Sequence, residues 1–251
     1  MQEWPATWMN YWISQKNNLI VIEDAAQALL SIYKEKYLGT IGHLACLSFH
    51  ETKNIISGEG GALLINDPEL EERAEIIWEK GTNRNQFFKG EVDKYTWVDI
   101  GSSFLPSEIL AAFLYAQLEE AEKINATRSH LFDKSLQLLR PLEINGFIRL
   151  PYMGRDCFCN GHIFYIITRS LQERTALINY LKNKEIGAVF HYVPLHSSPA
   201  GLKYGRISGS MDITNDISNR VLRLPMYYEM KEEDVERGAE EVSRFYRQKQ
   251  V

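Results

Sequence analysis

The stretch Ser48-Phe49-His50-Glu51-Thr52-Lys53-Asn54 ends an apolar run that reads as a buried strand. Ligands of open α/β sheets gather outside the carboxyl ends of strands. An ammonium placed there is costly to desolvate unless it is paired or gives up its proton. With the proton gone, Lys53 is an amine nucleophile able to form a Schiff base with a carbonyl. The plainer alternative is a solvated loop lysine. Asp24, in Glu23-Asp24-Ala25-Ala26-Gln27, follows a second apolar run, Leu19-Ile20-Val21-Ile22. A carboxylate facing a pyridine nitrogen holds that nitrogen protonated and makes the ring an electron sink. Taken alone, Asp24 reads first as a helix N-cap for the segment after it.

Three other groupings invite chemistry. Gly58-Glu59-Gly60-Gly61 lacks the Lys-Ser/Thr tail and following helix of a phosphate-binding loop, so a tight turn re-entering a sheet is expected. Cys157, Cys159 and His162 do not have a zinc spacing and lack a fourth ligand; no metal is expected there. His191 and His196 flank Tyr192-Val193-Pro194-Leu195, where substrate contact and plain packing are both open.

These residues need elements to hold them. Leu19 to Ile22 is short and β-branched, as suits a strand buried on both faces of a parallel sheet. Leu44 to Phe49 and Gly61 to Ile65 read as further strands, and Ala25 to Tyr33 as a short helix or turn. A helix is expected over Met9 to Lys16, and another from Asp67-Pro68 to about Lys80, opened by Pro and acidic residues. Gly81 to Gly101 has no clear period and reads as a long functional loop. Pro106 to about Leu139 is helical with a soft break near Asn125. Beyond it come a strand at Gly161 to Thr168, a helix at Gln172 to Lys184 and a strand at Ala188 to Tyr192. Helices at Asp212 to Leu222 and Glu232 to Gln248 flank an extended Arg223-Leu224-Pro225. The alternation indicates α/β architecture in two parts, 1–125 and 126–251.

The 251 residues are 45% hydrophobic, enough to build real cores. A net charge of −5 without a basic cluster argues against a nucleic-acid partner. The apolar runs are too short to span a bilayer, and the N-terminus lacks a signal-peptide pattern. Cys46, Cys157 and Cys159 make no disulfide framework. A soluble, reduced, cytoplasmic protein is expected.

Taken in order, the motifs resemble the sugar-nucleotide aminotransferases that use pyridoxal phosphate, of the aspartate aminotransferase fold type. The resemblance runs from Glu23-Asp24-Ala25-Ala26-Gln27 through Ser48 to Asn54 and Gly58 to Gly61. It continues through Glu79 to Arg84, Lys94 to Trp97 and Asp99 to Ser103, then Phe190 to His196 and Leu222 to Pro225. It implies a C-terminal part of that fold: a truncated αβα large domain with a mostly parallel sheet, followed by a smaller α/β domain. It also implies pyridoxal 5'-phosphate as cofactor, glutamate and a nucleotide sugar as substrates, and a homodimer. The implied reaction takes the amino group of glutamate to the 4-keto carbon of a dTDP-4-keto-6-deoxy sugar. The product, dTDP-4-amino-4,6-dideoxygalactose, feeds cell-surface polysaccharide precursors.

By the same resemblance, Lys53 is the lysine that binds the cofactor and shuttles the proton, and Asp24 is the partner of the ring nitrogen. Gln27 lies near the phenolic oxygen, and Ser48 reaches the phosphate. Ser103 stands where many relatives carry an asparagine that reaches the phosphate across a dimer interface. His50, His191 and His196 line the substrate side. Dehydratases of the family replace the lysine with histidine, so Lys53 excludes that sister activity. Family members are longer at the N-terminal end, where they carry a phosphate-holding loop and an aromatic residue that stacks on the ring. The alternative function is therefore a non-catalytic remnant or interaction module that does not bind the cofactor alone.

Overall fold

The computed structural model describes residues 19–248, and the helix expected over Met9 to Lys16 lies outside them. The described residues form two compact units, 19–124 with 156–158 and 125–155 with 159–248.

In the first unit, β1 (Ile22–Asp24) runs parallel to β4 (Leu44–Ser48), which pairs antiparallel with β5 (Gly61–Ile65). The mostly parallel sheet expected is thus represented by one parallel and one antiparallel pair. β2 (Ile32–Tyr33) lies between β3 (Lys36–Tyr37) and β6 (Cys157–Phe158) in a second small sheet.

The expectation for β1 is reversed in one respect. Leu19, Ile20 and Ile22 are exposed, and the residue that β1 buries is Glu23. Glu23 goes inside because its carboxylate accepts backbone N–H bonds from Gly39 at 2.7 Å, Ile41 at 2.7 Å and Gly42 at 2.6 Å. A carboxylate so satisfied loses little on leaving water. Asn66 grips the same loop from the other side, donating to the carbonyls of Gly39 and Gly42, each at 2.9 Å. With β4 as its single neighbour among the described residues, β1 is an edge of the sheet, and its one apolar side chain, Ile22, is 60% exposed.

After β5, Asp67 caps a short 3-10 turn, Pro68–Leu70, by accepting from the Glu69 N–H at 3.1 Å. That turn leads into α1 (Glu71–Trp78). The long loop expected from Gly81 contains a short helix, α2 (Arg84–Phe88), and is closed at its neck. The Gly81 carbonyl accepts from Val98 at 2.8 Å and Asp99 at 3.0 Å. The helical run of 106–139 is two helices, α3 (Glu108–Glu119) and α4 (Ala121–Ile144), so the break falls at Glu120 rather than near Asn125.

The second unit is built on an antiparallel sheet with β9 (Val221–Leu224) between β7 (Phe164–Ile167) and β8 (Val189–Phe190). Three helices, α4, α5 (Leu171–Lys182) and α8 (Glu232–Gln248), contribute to its core, α4 through Phe132, Leu139 and Leu142. Val235, Ala239, Val242 and Tyr246 recur every three or four residues along α8 and are all buried, the helical stripe that amphipathic packing requires. Ala239, Val242 and Tyr246 share one core cluster with Phe164, Ile166, Leu177, Leu181 and Leu222. Between β8 and β9 lie a 3-10 turn at Leu195–Ser197, α6 (Pro199–Tyr204) and α7 (Asp212–Arg220).

Candidate active site

Because β1 and β4 are parallel, their carboxyl ends open on the same side of the sheet. Asp24 is the last residue of β1, and its side chain is exposed rather than buried. Its Oδ1 accepts from the Ala26 N–H at 3.2 Å, so it closes a turn. Of the short helix or turn expected after it, the structure has the turn: residues 25–31 are successive turns, with Ala28 bonded to Ala25 and Ser31 to Ala28. One carboxylate oxygen holds the turn and the other is left to accept elsewhere. Gln27 lies in this turn, half-buried.

Ser48 ends β4, and residues 49–60 loop back to β5. Phe49 N–H to Gly60 O at 2.8 Å and Glu51 N–H to Gly58 O at 2.9 Å close the neck of that loop. Buried Ile55 and Ser57 fill it, and the Ser57 hydroxyl donates to the Glu59 carbonyl at 2.9 Å. Lys53 sits on the loop, half-buried, its N–H bonded to the His50 carbonyl at 2.9 Å. The Ser48 oxygen accepts from the His50 N–H at 3.4 Å, which leaves the hydroxyl proton for a ligand. His50 Nδ1 lies 2.9 Å from the Thr52 hydroxyl and 3.2 Å from the Thr52 N–H. Since that N–H can only donate, Nδ1 is an acceptor and the ring proton is on Nε2, which stands 3.7 Å from Glu59.

Asp24, Gln27, Ser48, His50 and Lys53 therefore belong to one end of the β1–β4 pair. Ser103 is elsewhere in the same unit, exposed and backbone-paired with Glu79 after α1. His191 and His196 belong to the second unit. His196 Nε2 is 2.9 Å from Asn215 Oδ1, and His191 Nδ1 is 3.1 Å from Arg223 Nη1. Burial and the Arg223 guanidinium push the His191 imidazole down to about 4.

Sequence reasoning passed over Glu23, Asn66 and Arg223 as functional supports. The signal for Glu23 was its place inside a strand run, where a charge needs partners. Arg223 left a similar signal, as a cation alternating with apolar residues in β9. Among the described residues, no group of three or more His, Cys, Asp and Glu side chains could hold a metal.

The set at the β1–β4 end comprises an amine, an incompletely used carboxylate and a hydroxyl with its proton to give. It fits a cofactor with a carbonyl, a basic ring nitrogen and a phosphate. Such a donor set at the carboxyl end of an α/β sheet is one that a pyridoxal-phosphate-dependent aminotransferase would use. Residues 10–243 match the DegT/DnrJ/EryC1/StrS aminotransferase family, and the chain belongs to it. The family depends on pyridoxal phosphate. The chain is 31% identical over 241 residues to the GDP-perosamine synthase of Escherichia coli O157:H7, covering 94% of this chain and 61% of that protein. It is 32% identical to the dTDP-3-amino-3,6-dideoxy-alpha-D-galactopyranose transaminase of Aneurinibacillus thermoaerophilus, covering 93% and 60%. A DegT DnrJ EryC1 StrS aminotransferase structure from Brucella abortus superimposes with a TM-score of 0.81 at 26% identity, over 94% of this chain and 60% of that one. The chain thus spans about three fifths of the length of the relatives it matches.

Proposed function

We propose that this chain carries the lysine-bearing part of a sugar-nucleotide aminotransferase that uses glutamate as amino donor. The observation that carries this reading is the grouping of Lys53, Asp24 and Ser48 at one end of the parallel β1–β4 pair. The family supports the reaction class, and the run of motifs supports a dTDP-4-keto-6-deoxy sugar as acceptor, with dTDP-4-amino-4,6-dideoxygalactose as product.

Pyridoxal phosphate, when bound, supplies an aldehyde for the donor amine and a ring that accepts the electron pair released at the donor Cα. The chain's own residues do the rest. Lys53 Nζ, as a free amine, takes the Cα proton of glutamate and returns it on the other side of the reaction. Asp24 holds the proton on the ring nitrogen through its unengaged oxygen. Ser48 donates its hydroxyl proton to a phosphate oxygen, and Gln27 stands beside the phenolic oxygen. Ser103 reaches the phosphate from a second copy of the chain in a homodimer. His50, His191 and His196 contact the sugar nucleotide.

Titration of the purified chain with pyridoxal phosphate tests this, with Lys53→Ala as the control. A saturable visible absorption band is expected that is lost in the variant, followed by loss of the glutamate amino group dependent on the dTDP-sugar. No band, or an equal band in Lys53→Ala, would leave the chain a non-catalytic remnant of the family.

A further inference from the structure

We infer that Arg223 is a positioning residue that fixes the ring proton of His191 on Nε2, making His191 and Tyr192 a pair of hydrogen-bond donors for an oxygen-rich substrate. The inference rests on the reading above that His191 meets the substrate.

Arg223 is held by backbone pairing within β9, opposite Tyr165 on one side and Val189 on the other. Its Nε is buried without a hydrogen-bond partner, and no carboxylate among the described residues pairs with its guanidinium. One nitrogen, Nη1, lies 3.1 Å from His191 Nδ1 and 3.4 Å from the Tyr192 hydroxyl oxygen. A guanidinium is donor only and stays protonated. Both contacts are therefore accepted by their partners, one for each hydrogen on Nη1. With the Nδ1 lone pair so occupied, the neutral imidazole carries its proton on Nε2. With the phenol oxygen accepting, the Tyr192 O–H is left to donate. The two rings are 4.4 Å apart at an interplanar angle of 32°, so each restrains the other.

The consequence is a fixed polarity. His191 Nε2–H and Tyr192 O–H both donate, and the unneutralised charge of Arg223 favours acceptors further. Carbonyl, ether or phosphoryl oxygens satisfy such a face, whereas an ammonium leaves donors opposed to donors. A site built to donate discriminates strongly when its partner is absent.

The test is nitrogen NMR of the His191 ring in the full chain, with the ring and the arginine guanidinium groups labelled. In the native protein we expect a bare Nδ1 showing through-hydrogen-bond coupling to an Arg223 Nη proton, and a protonated Nε2. In Arg223→Met that coupling vanishes and the Nδ1 resonance moves towards that of an unbonded ring nitrogen. Arg223→Lys, which keeps a cationic donor but not the fork, restores the Nδ1 shift in part. It also serves if the methionine variant does not fold. A proton on His191 Nδ1 in the native protein overturns the inference, as do ring resonances unmoved in either variant. In the transamination assay, Arg223→Met should raise the KM for the sugar nucleotide about tenfold while kcat stays within about twofold. Absence of turnover in the native chain would count against the proposed reaction and leave the NMR result to decide the role of Arg223.

Discussion

Glu23 shows how much a single side chain can organise. Three backbone N–H groups converge on its carboxylate and replace the water it gives up on burial. Glu23→Ala strands those donors, and we expect a loss of about 3 kcal/mol in urea unfolding, with Glu23→Gln losing less because one oxygen remains. His191 gives a second test at this scale. Burial and Arg223 hold its pKa at about 4 in the fold, below the usual 6.5. The unfolded chain then binds the extra proton between those values, so stability falls as pH drops from about 6.5 to about 4. His191→Asn keeps an acceptor towards Arg223 but has nothing to titrate. Its unfolding free energy should lack this acid loss, on the order of 1–2 kcal/mol, when the two proteins are compared across that range.

At the scale of elements, the loop from Gly81 to Gly101 depends on close backbone approach. A Cβ at Gly81 would stand 1.8 Å from the Asp99 carbonyl oxygen, and its φ of +76° suits glycine. Gly81→Ala should open the neck of the loop, costing about 2 kcal/mol and speeding amide exchange at Val98 and Asp99. The sequence announced elements whose signal is local. β5 and α8 were read to their ends, β4 to within a residue, and the Asp67-Pro68 start was marked by its cap and proline. The strand at β1 was displaced, because apolar periodicity cannot see that three amide groups await Glu23. The two-residue strands β2, β3 and β6 had no pattern long enough to register, and β6 pairs with a strand distant in sequence. The start of β9 was taken for the end of a helix, since Val221 and Leu222 suit either one. Lys53, Asp24, Ser48 and His50 could be picked out because each closely follows an apolar run. The Arg223 contact to His191 could not, because it joins residues that only the folding of β8 against β9 brings together.

For the whole molecule, cofactor binding and folding are linked. A ligand that binds only the native state at a hundredfold excess over its Kd adds about 2.7 kcal/mol to stability. Pyridoxal phosphate should therefore raise the thermal midpoint of the native chain in a concentration-dependent way, read by circular dichroism, and should do so far less in Lys53→Ala. The exposed apolar side chains of α3, with Ile109 at 81% and Tyr115 at 66%, are a separate property of the first unit. No described helix is long and apolar enough to cross a membrane.

The clasp that Glu23 and Asn66 make around residues 39–42 also bears on the order in which the chain organises itself. Asp24, Ser48, His50 and Lys53 lie on neighbouring segments, and the loops that join them close over short spans of chain. Short closures cost little entropy and form quickly, whereas the pairing of Ile32 with Phe158 waits on a far larger one. The candidate catalytic end of the sheet is thus the kind of structure a growing polypeptide can assemble before the segment that carries Phe158 has been made.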